Sequence, residues 1–386
     1  MAKYKIKKNI RFNFDVKYKL RTSFFYLGLL LQCIYMMLYI TIYNVPFSTF
    51  FAVTIFGLFL ITILNTSYTK NEIMLLGLLT AIATGCYFIT HDTLIFRILF
   101  MCFAAKSIDK KELIDFITKC YITMFVMIPL ISLFRGNEYI YSDESYGVGR
   151  TLARRYMFGF DGPNRLGVIW VCCMSMIMIQ RGKKDIGQDC ILGVISLVLY
   201  YLTRSRSMIL VCLVILAMPY FIQLFGKWRF LFFNRLFIVA VLFIFVGITI
   251  YFARNGVDRE NIYNIILNNR LVHFQDVVGN EKFTLFGSTS DFGKYVGLDN
   301  SYFLNFYKRG IFLSAIYIIA IFRLGMVIVK RKNLIQLSVL VGFITLAFVQ
   351  DVIQHPFINL VYFIIMFNFA NDGDQFRKDN GDTLRI

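Results

Sequence analysis

The stretch FFYLGLLLQCIYMMLYITIY (residues 24–43) holds twenty residues without a charge, and the 21 residues at the start of the chain carry eight Lys and Arg. Twenty residues at about 1.5 Å each match the roughly 30 Å hydrocarbon core of a bilayer. A cleaved signal peptide has a shorter basic region, a shorter apolar run and a small-residue cleavage site, so an uncleaved anchor is expected instead.

The rest of the chain repeats this pattern. Further apolar runs lie near 47–65, 72–90, 93–105, 113–134, 163–180, 187–203, 207–225, 235–252, 302–328, 334–353 and 355–370. They predict an all-α polytopic membrane protein, one integral domain over 1–386, with about twelve transmembrane helices. Of the 386 residues, 58% are hydrophobic and only 17% charged, whereas soluble chains carry about a quarter charged. That balance excludes an ordinary soluble enzyme. Pro46, Pro163 and Pro356 each open a run, where a missing N–H costs nothing.

The net charge of +18 would point to nucleic acid in a soluble protein. Here its distribution matters more. With the N-terminus inside, 24 Lys and Arg fall in alternate segments, among them Lys106, Lys110, Lys111, Arg181, Lys183, Lys184, Lys330, Arg331 and Lys332. The positive-inside rule then places both termini in the cytoplasm and two long loops, 135–162 and 253–301, outside. No nucleic-acid partner is expected. His91, His273 and His355 stand in separate segments, and the eight cysteines form no C-x-x-C. Neither set has metal-ligand spacing, so no metal or other cofactor is expected, and the cysteines read as core residues.

Long structured loops tend to be functional. The first holds Arg135, Arg150, Arg154, Arg155 and, at its edge, Arg165; the second holds Arg254, Arg259, Arg270, Lys282 and Lys294. Arg204 and Arg206 occupy a short external turn, T-R-S-R-S, which the charge rule disfavours. In F-G-F-D-G-P-N-R-L-G (158–167), Pro163 opens a helix and leaves Asn164 and Arg165 at its positive end. N-N-R-L-V-H-F-Q-D (268–276) reads as a short amphipathic helix carrying Arg270, His273 and Asp276. Gly287, Gly293 and Gly297 then mark a flexible turn. Asp299-Asn300-Ser301 reads as a cap that sets Asp299, Asn300 and Tyr302 at the membrane surface, facing whatever the arginines bind.

Many spans, two long external loops, G-x-x-P-N-x-x-G, S-R after a middle span, and R…F-G…L-D-N-S-Y…G-I late in the chain together resemble the Wzy-type polysaccharide polymerases. That family sits in a wider superfamily with the O-antigen ligases. The likeness covers most of the chain as architecture and some 60 residues as motifs. Some relatives carry an arginine followed eleven residues later by glycine; here Arg165, Leu166 and Glu281 follow Arg154, Arg155 and Arg270 at that spacing.

The resemblance implies a multi-pass glycosyltransferase of the bacterial cytoplasmic membrane. It would join undecaprenyl-pyrophosphate-linked repeat units into an O-antigen or capsule polysaccharide at the external face. Flippase and chain-length regulator proteins are the partners it implies. Arginines would stabilise charge on the leaving pyrophosphate, Arg206 and Arg270 first, then Arg150, Arg154 and Arg155, with Arg204, Asn164 and Arg165 as further contacts. His273 is the natural base for the acceptor hydroxyl, with Asp276, Glu281 and Asp299 as carboxylate alternatives. A ligase with another acceptor, or a transporter of the lipid-linked unit, are the competing expectations.

Overall fold

The computed structural model describes residues 2–42, 48–136, 139–146, 151–224, 247, 251, 254–255, 270–290, 292, 300–353 and 355–370; side chains are described from residue 18, except those of 42, 107, 144–146, 151–153, 270, 271 and 273. The elements are α1 Ala2–Ile42, α2 Ser48–Leu64, α3 Lys70–Thr90, α4 Leu94–Ala104, α5 Lys110–Ser132, β1 Tyr141–Tyr146, β2 Thr151–Tyr156, α6 Pro163–Arg181, α7 Ile186–Thr203, α8 Arg206–Leu224, α9 Arg270–Asn280, α10 Ser301–Lys330, α11 Leu334–Val349 and α12 Leu360–Phe369.

Short polar residues start these helices. Thr69 and Glu72 form a reciprocal capping box before α3, and Asp109, Asp185, Asn300, Asn333 and Asn359 each accept a first-turn N–H. Pro163 stands at the first turn of α6. Left-handed residues stop α3 at His91, α6 at Gly182 and α7 at Arg204.

Among the described residues, six helices have the length and hydropathy to cross a bilayer: Tyr18–Thr41 of α1, then α3, α5, α7, α8 and α10. The apolar helices α2, α4, α11 and α12 are shorter. A helix occupies eleven of the twelve expected spans; of the expected span 235–252 only residues 247 and 251 are described. The outward faces of α3 and α7 leave large apolar side chains bare, including Met74, Leu78, Phe88, Ile191, Val194 and Leu197. Water would penalise such faces and lipid would not. α6 and α11 are instead buried along most of their length. Gly167 meets Met208 and Gly342 meets Ile215, so both helices approach α8 closely.

Contacts between elements sort into two ends. At the lower end Lys106 pairs with Glu72, Arg181 with Asp189, and Arg331 donates to Asn368. At the upper end Arg309 pairs with Asp92, the Asp161 N–H donates to the Ile40 carbonyl, and Gln350 donates to Ser207. The lower connections are those rich in Lys and Arg.

Three expectations need correction. The fold is not all-α: within the first long loop β1 and β2 form an antiparallel hairpin in which Tyr141 faces Tyr156 and Asp143 faces Arg154. The ring pair and the Asp143–Arg154 ion pair stabilise that register. The last two spans shorten because the described residues of 350–359 are not helical. They enter the bundle instead: the Ile358 carbonyl accepts from Cys172, nine residues and about 13 Å into α6.

The span 302–328 is also broken, at Gly310 (φ 86, ψ 172). Gly287 is therefore no flexible hinge. Its segment docks on the break, with Ile311 N–H to Thr284 O, Phe312 N–H to Leu285 O and Ser288 N–H to Lys308 O. Gly293 and Gly297 lie outside the described residues.

Two outcomes follow. Gly310→Ala forces a side chain onto backbone atoms of Gly287 and Leu285 at a conformation reserved for glycine, so it should destabilise the fold by about 3 kcal/mol, read as a lowered unfolding midpoint in detergent. In intact cells with a cysteine-free background, an impermeant thiol reagent should label Asp143→Cys and leave Lys183→Cys unlabelled; the reverse pattern would invert the topology.

Candidate functional site

The upper end collects buried polar residues from distant parts of the chain. Asn300 caps α10 through Phe303 N–H, and this places Ser301 beside the chain leaving α11. The Ser301 hydroxyl donates to Gln350 O (2.7 Å) and accepts from Val352 N (2.7 Å) and Ile353 N (3.2 Å). One hydroxyl thus spends its proton and both lone pairs on the 350–353 turn. Gln350 then reaches Ser207 (3.0 Å), and Ser207 lies 3.4 Å from Ser205. The Ser205 N–H donates to Thr203 Oγ1, and Thr203 O accepts from Arg155 Nε (2.9 Å). Arg155 Nη2 donates to Asn164 Oδ1 (3.0 Å). A polar relay therefore runs from the hairpin to the start of α10.

Beside it, Arg309 lies buried with two of its nitrogens on Asp92 Oδ2, at 3.1 and 3.0 Å, and a third on Asn305 (3.3 Å). Asn305 in turn donates to Ser314. Burial alone would raise the Asp92 carboxyl, but the Arg309 charge and the Leu94 N–H outweigh it and hold the group below its usual range. At Asp161 the balance is opposite: burial raises the carboxyl although Arg165 stands 3.6 Å away. Arg309 and Asn305 also line an apolar cavity of about 290 Å³ between α3, α4, α10 and α12, walled by Leu79, Leu99, Ile316 and Ile365.

The expected site residues divide accordingly. Arg155, Asn164, Arg165, Arg204 and Arg206 come from β2, α6 and the α7–α8 turn and share the upper end. Arg155 is buried, with its donors on Thr203 and Asn164, and so ties the hairpin to two helices. Arg204 and Arg206 are exposed, and Arg204 lies over the Tyr201 ring. Arg154 is a half-exposed partner of Asp143 and covers Tyr141.

Asp276 is exposed on α9, and Glu281 accepts from Ser290. Arg270 and His273 share the α9 backbone, but their side chains are not among those described. Arg150 and Asp299 lie outside the described residues. Asn300 and Tyr302 do not face an open site: Asn300 is a fully buried cap, and the buried Tyr302 hydroxyl donates to Ile344 O. The first turn of α10 packs on α11, and that burial overrides the surface position read from the cap.

Sequence reasoning missed Asp92, Arg309, Asn305 and His355. The available signal was an acid in H-D-T beside a span and a basic pair in Y-K-R-G inside one, since ionisable residues at such positions are costly without partners. Among the described residues no three metal-ligating side chains converge. The arrangement sets a carboxylate-paired arginine at the wall of an apolar cavity.

Removing one member of the Asp92–Arg309 pair strands a buried charge, so Arg309→Ala should cost about 3 to 5 kcal/mol of stability, while Asp92→Leu with Arg309→Met should recover most of it. The folded Asp92 pKa is depressed, so its contribution is complete above the ordinary aspartate value near 3.9 and is lost as pH falls through the lower folded value. Asp92→Asn should flatten that acid limb of a stability–pH profile.

No protein-family model matches the chain, and no curated protein or solved structure matches it either.

Proposed function

We propose that the chain is a Wzy-type polymerase of the bacterial cytoplasmic membrane, with its upper end outside and both termini in the cytoplasm. The observation that carries this reading is the meeting of Arg309 with an apolar cavity, at the end where Arg155, Arg165, Arg204 and Arg206 also gather. A lipid-linked pyrophosphate is an anion attached to a long apolar chain, and the two parts match the two surroundings.

In the proposed reaction a hydroxyl oxygen of the incoming unit attacks the anomeric carbon of the growing chain. The bond from that carbon to the pyrophosphate oxygen breaks, and its electron pair leaves on undecaprenyl pyrophosphate. The hydroxyl proton passes to a base, for which His273 remains the first candidate and Asp276, Glu281 and Asp299 the alternatives. Arginines near the leaving group bind its developing charge more tightly in the transition state than in the ground state. Arg206, exposed at the α8 start, and Arg270, on α9, are the first candidates for that role.

A transport reading has one specific observation in its favour. α10 is interrupted at Gly310 and the chain between α11 and α12 is unwound, and interrupted helices form the substrate sites of many transporters.

The two readings separate in one assay. Purified protein given only its lipid-linked repeat unit should yield a ladder of products spaced by one unit, with undecaprenyl pyrophosphate released. Arg206→Lys and Arg270→Lys should reduce the rate by roughly 30-fold to 1000-fold, because lysine lacks the planar fork. A substrate that crosses a vesicle membrane with unchanged mass, and no ladder, would favour transport instead.

A further inference from the structure

Between the end of α9 and the break in α10, the chain through Phe283, Thr284, Leu285 and Phe286 sends alternate side chains to opposite sides. Thr284 and Phe286 turn inward. The Thr284 hydroxyl engages both backbone groups of Gly287, and the Phe286 ring lies 5.1 Å from that of Phe312. Phe283 and Leu285 turn outward and leave 55% and 53% of their surface bare. One face of the Phe283 ring stacks on the buried Tyr307 ring, with centres 4.3 Å apart, so the other face is the open one.

The packing on α3 fixes the depth of this segment. A Cβ placed at Gly85 would stand 3.3 Å from the Phe286 ring, and Gly85 lies five residues, about 7 Å, before the end of α3 at Thr90. The 21 residues of α3 span about 31 Å, the thickness of a hydrocarbon core. The upper end of α3 therefore marks the edge of that core, and Phe286 sits just below it.

The bare side chains continue the lipid-facing sides of two helices. Phe88 and Ile89 stand three and four residues after Gly85, on the same side of α3, and Phe88 is 73% exposed. Ile311 and Phe312 of α10, whose N–H groups the segment accepts, are also apolar and bare. Those two hydrogen bonds satisfy the carbonyls of Thr284 and Leu285, so both groups can leave water. On the α9 side the exposed residues are instead polar, Asp276 and Asn280, while Phe274 and Val277 are buried. Exposure thus changes from polar to apolar between Asn280 and Phe283, with the exposed Lys282 at the change. A lysine there can lay its stem on apolar surface and reach a lipid phosphate with its ammonium group.

We propose that residues 283–286 are a membrane-inserted rim of the second long loop, with Phe283 and Leu285 set among the upper acyl-chain segments of outer-leaflet phospholipid. The rim anchors the loop and holds α9, which carries Arg270 and His273, at the level of the lipid headgroups. Phospholipid fits this face better than a second copy of the chain, because the patch is continuous with the lipid-facing sides of α3 and α10 and ends at a lysine.

Full-length protein in vesicles of phosphatidylethanolamine and phosphatidylglycerol tests this by tryptophan fluorescence. The chain has two tryptophans, Trp170 and Trp228, whose emission is subtracted as the wild-type signal. The added emission of Phe283→Trp, and separately of Leu285→Trp, should fall about twofold or more when the phospholipids are brominated near the top of their acyl chains, and should resist aqueous iodide. Leu78→Trp, on the bare face of α3, should behave alike with lipids brominated deeper in the chain. Asn280→Trp should show the opposite pattern, quenched by iodide and indifferent to bromine.

Iodide quenching of Phe283→Trp and Leu285→Trp to the extent seen at Asn280→Trp would overturn the rim, since the segment would then face water. Protection from both quenchers would overturn it as well and assign the patch to a protein neighbour such as a second copy. Either variant carries the test if the other fails to fold. The ladder assay is separate, so the rim and the polymerase reading can each fail alone.

Discussion

Backbone groups inside an apolar bundle have no water to turn to, and the two interruptions of this bundle persist because protein groups answer each break. At Gly310 the freed N–H groups of Ile311 and Phe312 are taken by Thr284 and Leu285 carbonyls. In the unwound 350–359 stretch, Tyr121 donates to Phe357 O, Cys172 to Ile358 O and Tyr362 to Ile353 O, while Ser301 receives two N–H groups. The partners come from α5, α6, α12 and α10. The breaks therefore hold the bundle together as much as they interrupt it, because each repair ties a further helix to the same place.

Charges obey the same constraint. The break at Gly310 carries Arg309 past the end of α3, where Asp92 meets it, and the second break carries His355 beside α1. At the lower end the exposed Lys119–Asp115 pair contributes little, while Arg181 and Asp189 pair out of water. At the upper end Arg155 and Arg309 are buried, and each is matched by fixed partners.

How much of this was legible in the sequence depends on the reach of each signal. Runs such as 24–43 and 72–90 carry the helix and its burial in a single window, so their positions were readable. The hairpin was harder. Its strands, YSDESY and TLARRY, are too polar to show a buried face, and their pairing is decided by Tyr141–Tyr156 and Asp143–Arg154 contacts. The Asp92–Arg309 pair joins residues 217 positions apart, which no local pattern encodes. Asn300 and Tyr302 show the converse. The cap was legible, but the packing of α10 on α11 that buries it was not. Arg155 was singled out as a loop cation, and nothing nearby in the sequence announced that the Thr203 carbonyl and Asn164 would fix it in place.

The arginines at the upper end fall into two kinds, and the difference bears on how any anion is held. Arg155 and Arg309 are buried and oriented, but their donors are already engaged by Thr203, Asn164, Asp92 and Asn305. Arg204 and Arg206 are exposed at the α7–α8 turn, where an incoming anion can reach them. Stabilising a transition state requires donors that are fixed before charge develops. An engaged arginine can serve only by exchanging its carboxylate or carbonyl for a phosphate oxygen, a trade between similar charge-assisted hydrogen bonds that costs little when the released partner finds water. Asp92, held at the rim between α3 and α4, has that outlet, whereas the carbonyl of Thr203 at a helix end does not. Of the two buried arginines, Arg309 is therefore the one whose surroundings permit exchange with a ligand, and Arg155 the one whose surroundings keep it as a brace.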